Sequence, residues 1–486
     1  MTDDRRLGTT AAAATVVASM IGAGIYTSPG YTLGSLGTGG WTLAAWGVGG
    51  LIAVCGAVSY GALASRITRS GGEYTYLSQT VHPFVGFLAG WVSLVAGFAG
   101  AAATAAASLA THLPVDGPAA TGIAAAVLVA AGVLHGWRVR EAAGVQTLVV
   151  VGKLLLILFG LSAAAIYAVG RELPEPAETS TTTQGTFAVS LMWIAMSYSG
   201  FNAAIYFSEE VRDAARTVPR ALVVGTAATV AVYLCIVAAV VSLPPREAVA
   251  NRDDPVAATA EVVFAGGGRA VAWLICLSQA TSVSALALAG PRVTARMAAD
   301  GLLPRFLAGR TESCSAGAAV SGLAEDSRGT PGVSGTPTEP ATPGAASDAA
   351  SVRRADSAAP GVVPPRAAIA LHTTLAVGLL LVASLRDLLF HVGATLSLSA
   401  AAAVASLLVL ARRGDAPPGV AWKVAAPVFV VATLGSVGIA IVEDWHNGLG
   451  VAAALVSGAA AYAVARTVCG GRHSEDCEGA AGRPAP

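Results

Sequence analysis

The stretch IGAGIYTSPG, Ile21–Gly30, lies inside a longer apolar run that reads AAAATVVASMIGAGIYTSPGYTLGSLG. The run is long and apolar enough for one membrane-spanning helix. Yet Gly22, Gly24, Pro29 and Gly30 stand where such a helix would be most stable without breakers. Bilayer tolerates irregular backbone only where it is buried in protein or lines a cavity. Small residues for close helix packing are the alternative reading of IGAGI. The adjacent Ser28-Pro29-Gly30 favours a break.

Composition sets the frame. The chain has 486 residues, 54% of them hydrophobic and 12% charged, against about 25% charged in a soluble domain. This predicts a polytopic membrane protein. Acidic and basic residues balance at 29 each, so charge gives no reason to expect a nucleic-acid partner. Six cysteines are scattered without a CxxC pair or a Cys/His cluster, and no metal or cofactor site is expected. Neither HExxH, G-x-S-x-G nor a Walker A loop occurs, so an enzyme is not expected. The start, MTDDRRLG, does not read as a cleavable signal peptide.

Twelve stretches are long enough to span. They lie near 10–34, 41–64, 84–111, 118–136, 143–169, 186–209, 219–243, 270–298, 366–384, 388–410, 421–441 and 447–467. Residues 244–269 have room for a short surface helix. Residues 306–365, rich in Ser, Gly, Pro, Ala and Thr, read as a disordered loop. With the N-terminus inside, 23 of the 29 Lys and Arg residues fall on the inner face and five outside. By the positive-inside rule both termini are cytosolic, and the expected location is the cell membrane.

A second interruption lies in the sixth stretch, LMWIAMSYSGFNAAIYFSEE, Leu191–Glu210, where Ser197, Ser199, Gly200 and Asn202 cluster. The first and sixth spans are five apart. Paired breaks at corresponding places mark the binding site of a transporter built from inverted repeats. Freed backbone N–H groups suit a carboxylate and freed carbonyls suit an ammonium, so a zwitterionic amino acid fits both. The visible pocket residues are neutral, and a cationic substrate is not favoured.

Several ordered stretches carry a resemblance. They are SMIGAGIYTSPG, then SGGEYTYL (Ser70–Leu77) in the turn after the second span, GFLAGW (Gly86–Trp91), VQTLVVVGKLLL in the fifth span, SYSGFNAAIYFSEEVRDAARTVPRAL (Ser197–Leu222) and GPRVTARMAADGLLP (Gly290–Pro304). Over about residues 10–470 the chain resembles the amino acid–polyamine–organocation transporters, in the branch of amino acid permeases and L-type exchangers. The resemblance implies an all-α, leucine-transporter-like fold. Residues 1–170 would form a first repeat of five helices, 171–410 the inverted second repeat with its loop at 306–365, 411–470 two extra helices, and 471–486 a cytosolic tail.

It also implies roles. Ile21, Gly22, Ala23, Gly24 and Ile25 would hold the substrate carboxylate through backbone N–H groups. Tyr198, Ser199, Gly200, Phe201 and Asn202 would hold the amino group and shape the side-chain pocket. Many relatives carry an aromatic gate two residues before the position of Tyr198. Here that residue is Met196, and Trp193, Tyr198 or Phe201 is the alternative lid. Glu209 and Glu210 either pair with Arg212 or Arg216, or form an inner gate with Arg66 or Arg69. A gate pairing is a further option for Glu73.

Only two lysines occur in the chain. Lys153 lies roughly three turns into the fifth span from Glu141, and an ammonium at that depth reads as functional. In the resembling family this place corresponds to where sodium-coupled members bind a cation. The expected function is therefore a sodium-independent transporter of neutral amino acids, either an exchanger or a proton-coupled symporter. A sodium-coupled symporter and a non-transporting sensor on the same fold are the alternatives. Some relatives pair with a heavy subunit through an extracellular cysteine. No cysteine falls in an outside loop here, so no disulfide-linked partner is expected.

Overall fold

Every backbone polar group inside a bilayer needs an internal partner, which leaves helices as the economical solution for an Ala-, Val- and Leu-rich chain. A computed structural model describes residues 7–137, 157, 160–163, 165–169, 183–308, 366–443 and 445–481. Its described residues are helical apart from short connections and one isolated bridge between Leu7 and Val211. The chain is a multi-pass membrane protein. Among the described residues, nine helices are long and apolar enough to span, and a bent pair adds a tenth.

That pair is α1 (Thr9–Met20) and α2 (Ala23–Leu36), which meet at 48°. They are followed by α3 (Gly39–Arg66), the short α4 (Gly72–Thr80), α5 (Pro83–Thr111) and α6 (Pro118–Trp137). Next comes α7 (Gln184–Tyr198), a 3-10 segment (Ala203–Glu210), α8 (Ala214–Ser242), α9 (Pro255–Val263) and α10 (Gly267–Ala299). The last four are α11 (Arg366–Val382), α12 (Leu385–Arg412), α13 (Ala421–Glu443) and α14 (His446–Ala481). Eleven of the twelve expected spans correspond to these helices. The fifth, at 143–169, lies mostly outside the described residues, and Lys153 with it.

Two expectations change. SGGEYTYL is not a plain turn: after Gly71 and Gly72, both at positive φ, it forms α4, with Glu73 through Leu77 buried. Pro29 and Gly30 do not belong to the break but lie inside α2. A Cβ on Gly30 would stand 2.5 Å from the Arg252 carbonyl, and the Gly30 carbonyl accepts from Asn251 N–H at 2.8 Å. Gly30 therefore lets the loop before α9 settle on α2.

The core places the breaks at its centre. α1 packs along α8, α8 along α3, and α2 along α7. α12 and α13 close over α7. Within α5 the turns Ser93–Gly100 widen into a π-helix, an irregularity that often accompanies a functional site.

Candidate substrate site at the two breaks

The first break is two residues long. Ile21 and Gly22 are extended, and helical geometry resumes at Ala23. The first amides of a helix have no preceding turn to bond, and no side chain caps Gly22. The second break is longer. α7 ends at Tyr198, Ser199–Asn202 form a turn, and the 3-10 segment begins at Ala203. The Met196 carbonyl accepts from the Ser199 N–H at 3.1 Å, and the other carbonyls of the last turn of α7 lose their intrahelical partners.

The breaks touch. A Cβ on Gly24 would lie 2.5 Å from Ser197 Cα, so α2 and α7 meet backbone to backbone. Gly200 sits at φ +93°, where its Cβ would be 2.7 Å from the Ser19 carbonyl. Gly22, by contrast, has nothing within 4 Å of an added Cβ. The Gly22 and Gly24 requirements thus differ: Gly24 serves a close approach, whereas Gly22 faces open space.

A cavity of about 420 Å³ surrounds this junction. Residues 21–24 and 198–202 line it, with Met196 beside them. Ile25 is fully buried behind this wall. Tyr198 is pinned by its hydroxyl, which donates to the Trp46 carbonyl at 3.2 Å, and by ring contacts with Trp46 and Tyr233. Phe201 meets Tyr60 edge-on at 5.5 Å between ring centroids. At one end the cavity reaches Arg292, which is exposed.

A separate aromatic cluster, outside the cavity lining, holds Trp193. Trp193 is buried against Tyr31 with ring centroids 5.6 Å apart. The Arg386 guanidinium lies 4.8 Å over Trp193 and 5.3 Å over Tyr31. The Tyr31 hydroxyl donates to Asp253 in the loop before α9. In that loop, burial raises the Asp254 carboxyl, but paired hydrogen bonds from Arg252 outweigh it and leave its pKa below the ordinary carboxylate value. Of the candidate lids, Trp193 is the one in this stack with Tyr31 and Arg386. Met196, Tyr198 and Phe201 are in the cavity wall.

The inner pairing of Glu209 with Arg66 or Arg69 is not formed. Glu209 accepts from the Ser70 N–H at 3.3 Å, and its own N–H donates to Ser70 Oγ at 3.1 Å. Arg66 donates to the Ala416 carbonyl, and Arg69 stands 3.9 Å from Asp300.

One residue overturns the neutral picture of the pocket. Glu73, 5% exposed, lines the cavity. It accepts from the hydroxyls of Tyr60 at 2.9 Å and Tyr206 at 2.7 Å, and from Asn202 Nδ2. The double glycine ahead of a lone acid in SGGEYTYL is the signal the sequence offers. It can turn an acidic side chain inward at a tight bend. Arg386 and Tyr31 escape a reading of the sequence, because they are far apart in the chain.

Comparison with known proteins agrees with this architecture. A family model described as amino acid permease matches residues 7–442. An uncharacterized transporter of Mycobacterium tuberculosis is 31% identical over 316 residues, 63% of this chain and 68% of that protein. The serine/threonine exchanger SteT of Bacillus subtilis is 26% identical over 312 residues, 62% of this chain and 69% of its own length. The human large neutral amino acids transporter small subunit 2 is 28% identical over 323 residues, 63% and 59% respectively.

Proposed function

The chain belongs to the amino acid permease family, a family of transporters rather than enzymes, and on that premise we propose that it carries neutral amino acids across the cell membrane without sodium. The observation that carries this reading is the meeting of the uncapped start of α2 with the carbonyl end of α7 in one cavity. A helix start bears about half a positive charge and a helix end about half a negative one. A zwitterion laid across the junction satisfies both. The Ile21 N–H already donates to the Val17 carbonyl at 3.2 Å, so within Ile21 to Ile25 it is the N–H groups from Gly22 onward that are offered to the carboxylate. Residues Tyr198 to Asn202 hold the ammonium and bound the side chain.

Glu73 does not make the substrate cationic in this reading. Both of its oxygens are already engaged, by three neutral donors. The name of one relative, a serine/threonine exchanger, favours exchange over proton symport and small neutral substrates. Lys153 lies outside the described residues, and its part in replacing sodium is inferred from its depth in the fifth span. The five-plus-five repeat, the cytosolic termini and the absence of a disulfide-linked partner belong to the same proposal.

The test is uptake into proteoliposomes. Labelled L-serine should be taken up, driven by unlabelled serine inside and competed by other neutral amino acids. Uptake should be equal in sodium and in choline. A strict need for sodium would hand the reading to a sodium symporter, and binding without any flux would make the protein a sensor.

A further inference from the structure

Glu73 is a buried carboxylate with no cation among its hydrogen-bond partners. Leaving such a charge in a low-dielectric interior is costly unless every lone pair is used. The structure uses them on three donors from two elements. Tyr60 belongs to α3. Asn202 and Tyr206 flank the start of the 3-10 segment, the inner half of the broken sixth span. That segment has poor helical geometry and contains a kink at Phe207, so its own ladder does little to fix its direction. Glu73 gathers the side-chain hydrogen bonds around the segment's start, while at its end Ser70 pairs with Glu209 and the Leu7 N–H donates to the Glu210 carbonyl.

The neighbouring residue faces elsewhere. The Tyr74 hydroxyl donates to Asp300 at 2.9 Å, just past the end of α10, and Asp300 also meets Arg296 at 3.4 Å and Arg69 at 3.9 Å. α4 therefore fastens two separate parts of the protein through adjacent side chains. Glu73 grips the broken span and α3, while Tyr74 grips α10. The cavity is lined by both Glu73 and Arg292.

We infer that Glu73 is the latch that holds the inner half of the broken sixth span against α4, and that this latch stabilises the arrangement in which the cavity reaches the arginine-rich face. Transport requires the segment to let go of Glu73 and take hold again in each cycle. The acid positions the gate and does not touch the substrate. Hydrogen bonds to a charged acceptor are strong enough to define a state, yet neutral donors leave the bonds exchangeable, as an ion pair at this depth would not.

The latch presupposes the transport reading, but its test uses no substrate, so the two fail separately. Ser397, on α12, lines the cavity. In a protein stripped of cysteines, Ser397→Cys would report access to a membrane-impermeant maleimide added at either face. With Glu73 intact, labelling should be fast from the arginine-rich face. Glu73→Ala should slow it about tenfold there and speed it from the opposite face, a shift of about 1.4 kcal/mol between the two arrangements. Glu73→Gln, which keeps an acceptor oxygen of the same reach, should restore most of the native pattern. Tyr206→Phe removes a single hydroxyl and should move the labelling in the same direction by a smaller factor, so it carries the test if Glu73→Ala does not fold. Unchanged labelling at both faces in a folded Glu73→Ala or Tyr206→Phe protein would overturn the latch. A Tyr206→Phe shift toward faster labelling at the arginine-rich face would do the same.

Discussion

The two breaks do the same thing by different means. The first is short and bare. Two extended residues, Ile21 and Gly22, separate α1 from α2, and no side chain caps the new helix. The second is long and braced. Ser199–Asn202 turn through a glycine at positive φ, and Asn202 and Tyr206 are tied to Glu73. A bare break keeps its backbone N–H groups for a ligand. A braced break commits side chains to fixing the segment beyond it. The proposed function assigns binding to the first break, and the proposed latch assigns movement to the second.

The sharpest way to break this contrast is at Gly24. A leucine there would drive side-chain atoms into Ser197, 2.5 Å from an added Cβ. Overpacking of about 1–3 kcal/mol or more should result. Gly24→Leu should lose at least about a hundredfold in affinity while remaining monodisperse in size-exclusion chromatography. Gly22→Ala should keep its thermal stability and lose less. Equal losses at both positions would mean that the carboxylate, not the contact of α2 with α7, sets the requirement.

Next comes Lys153, which the resemblance places against the first break. Lys153→Ala should cost transport about tenfold or more, through a lost charge-assisted hydrogen bond of about 1.5–3 kcal/mol. Lys153→Arg should recover only part, because a planar fork is wider than an ammonium. A wild-type rate in Lys153→Ala would remove the lysine from coupling.

At the second break, Gly200→Ala puts a Cβ on a residue at φ +93° and 2.7 Å from the Ser19 carbonyl. The backbone penalty is about 1–2 kcal/mol, read as a fall of a few degrees in the Tm of the purified protein. No change would mean the turn is free to relax, and the description of that break as braced would fail.

The smallest effect is expected at the lid. Arg386→Ala removes an exposed cation from two aromatic faces, worth about 0.5–1 kcal/mol. Labelling of Ser397→Cys from the lid face should rise about two- to fivefold.

Much of the architecture is legible in the sequence for a physical reason. A span announces itself by roughly 20 consecutive apolar residues, so α3, α5 to α8, α10 and α12 to α14 can be read from length and hydropathy. A break announces itself as breakers within such a run, and both stand out. The exact seat of a break is less visible. Pro29 and Gly30 look like part of the first one, yet both lie inside α2, and Gly30 receives the loop carrying Asn251, some 220 residues away. Glu73 is hidden for the same reason. Its partners Tyr60, Asn202 and Tyr206 come from two distant segments, and no local pattern records where a side chain will find its donors.

The bridge at Leu7 has a mechanical meaning. Its N–H donates to the Glu210 carbonyl and its carbonyl accepts from the Arg212 N–H, both at 3.0 Å. These two bonds splice the start of the first broken span to the end of the 3-10 segment. Higher up, Gly200 rests on the Ser19 carbonyl. Tied at Leu7 and met again at Gly200, α1 and the 3-10 segment form a single lever rather than two independent flaps, and a torque on either is delivered to the other. A bulky fusion placed directly before Leu7 would add drag to that lever, whereas one attached after α14 would leave it free to swing.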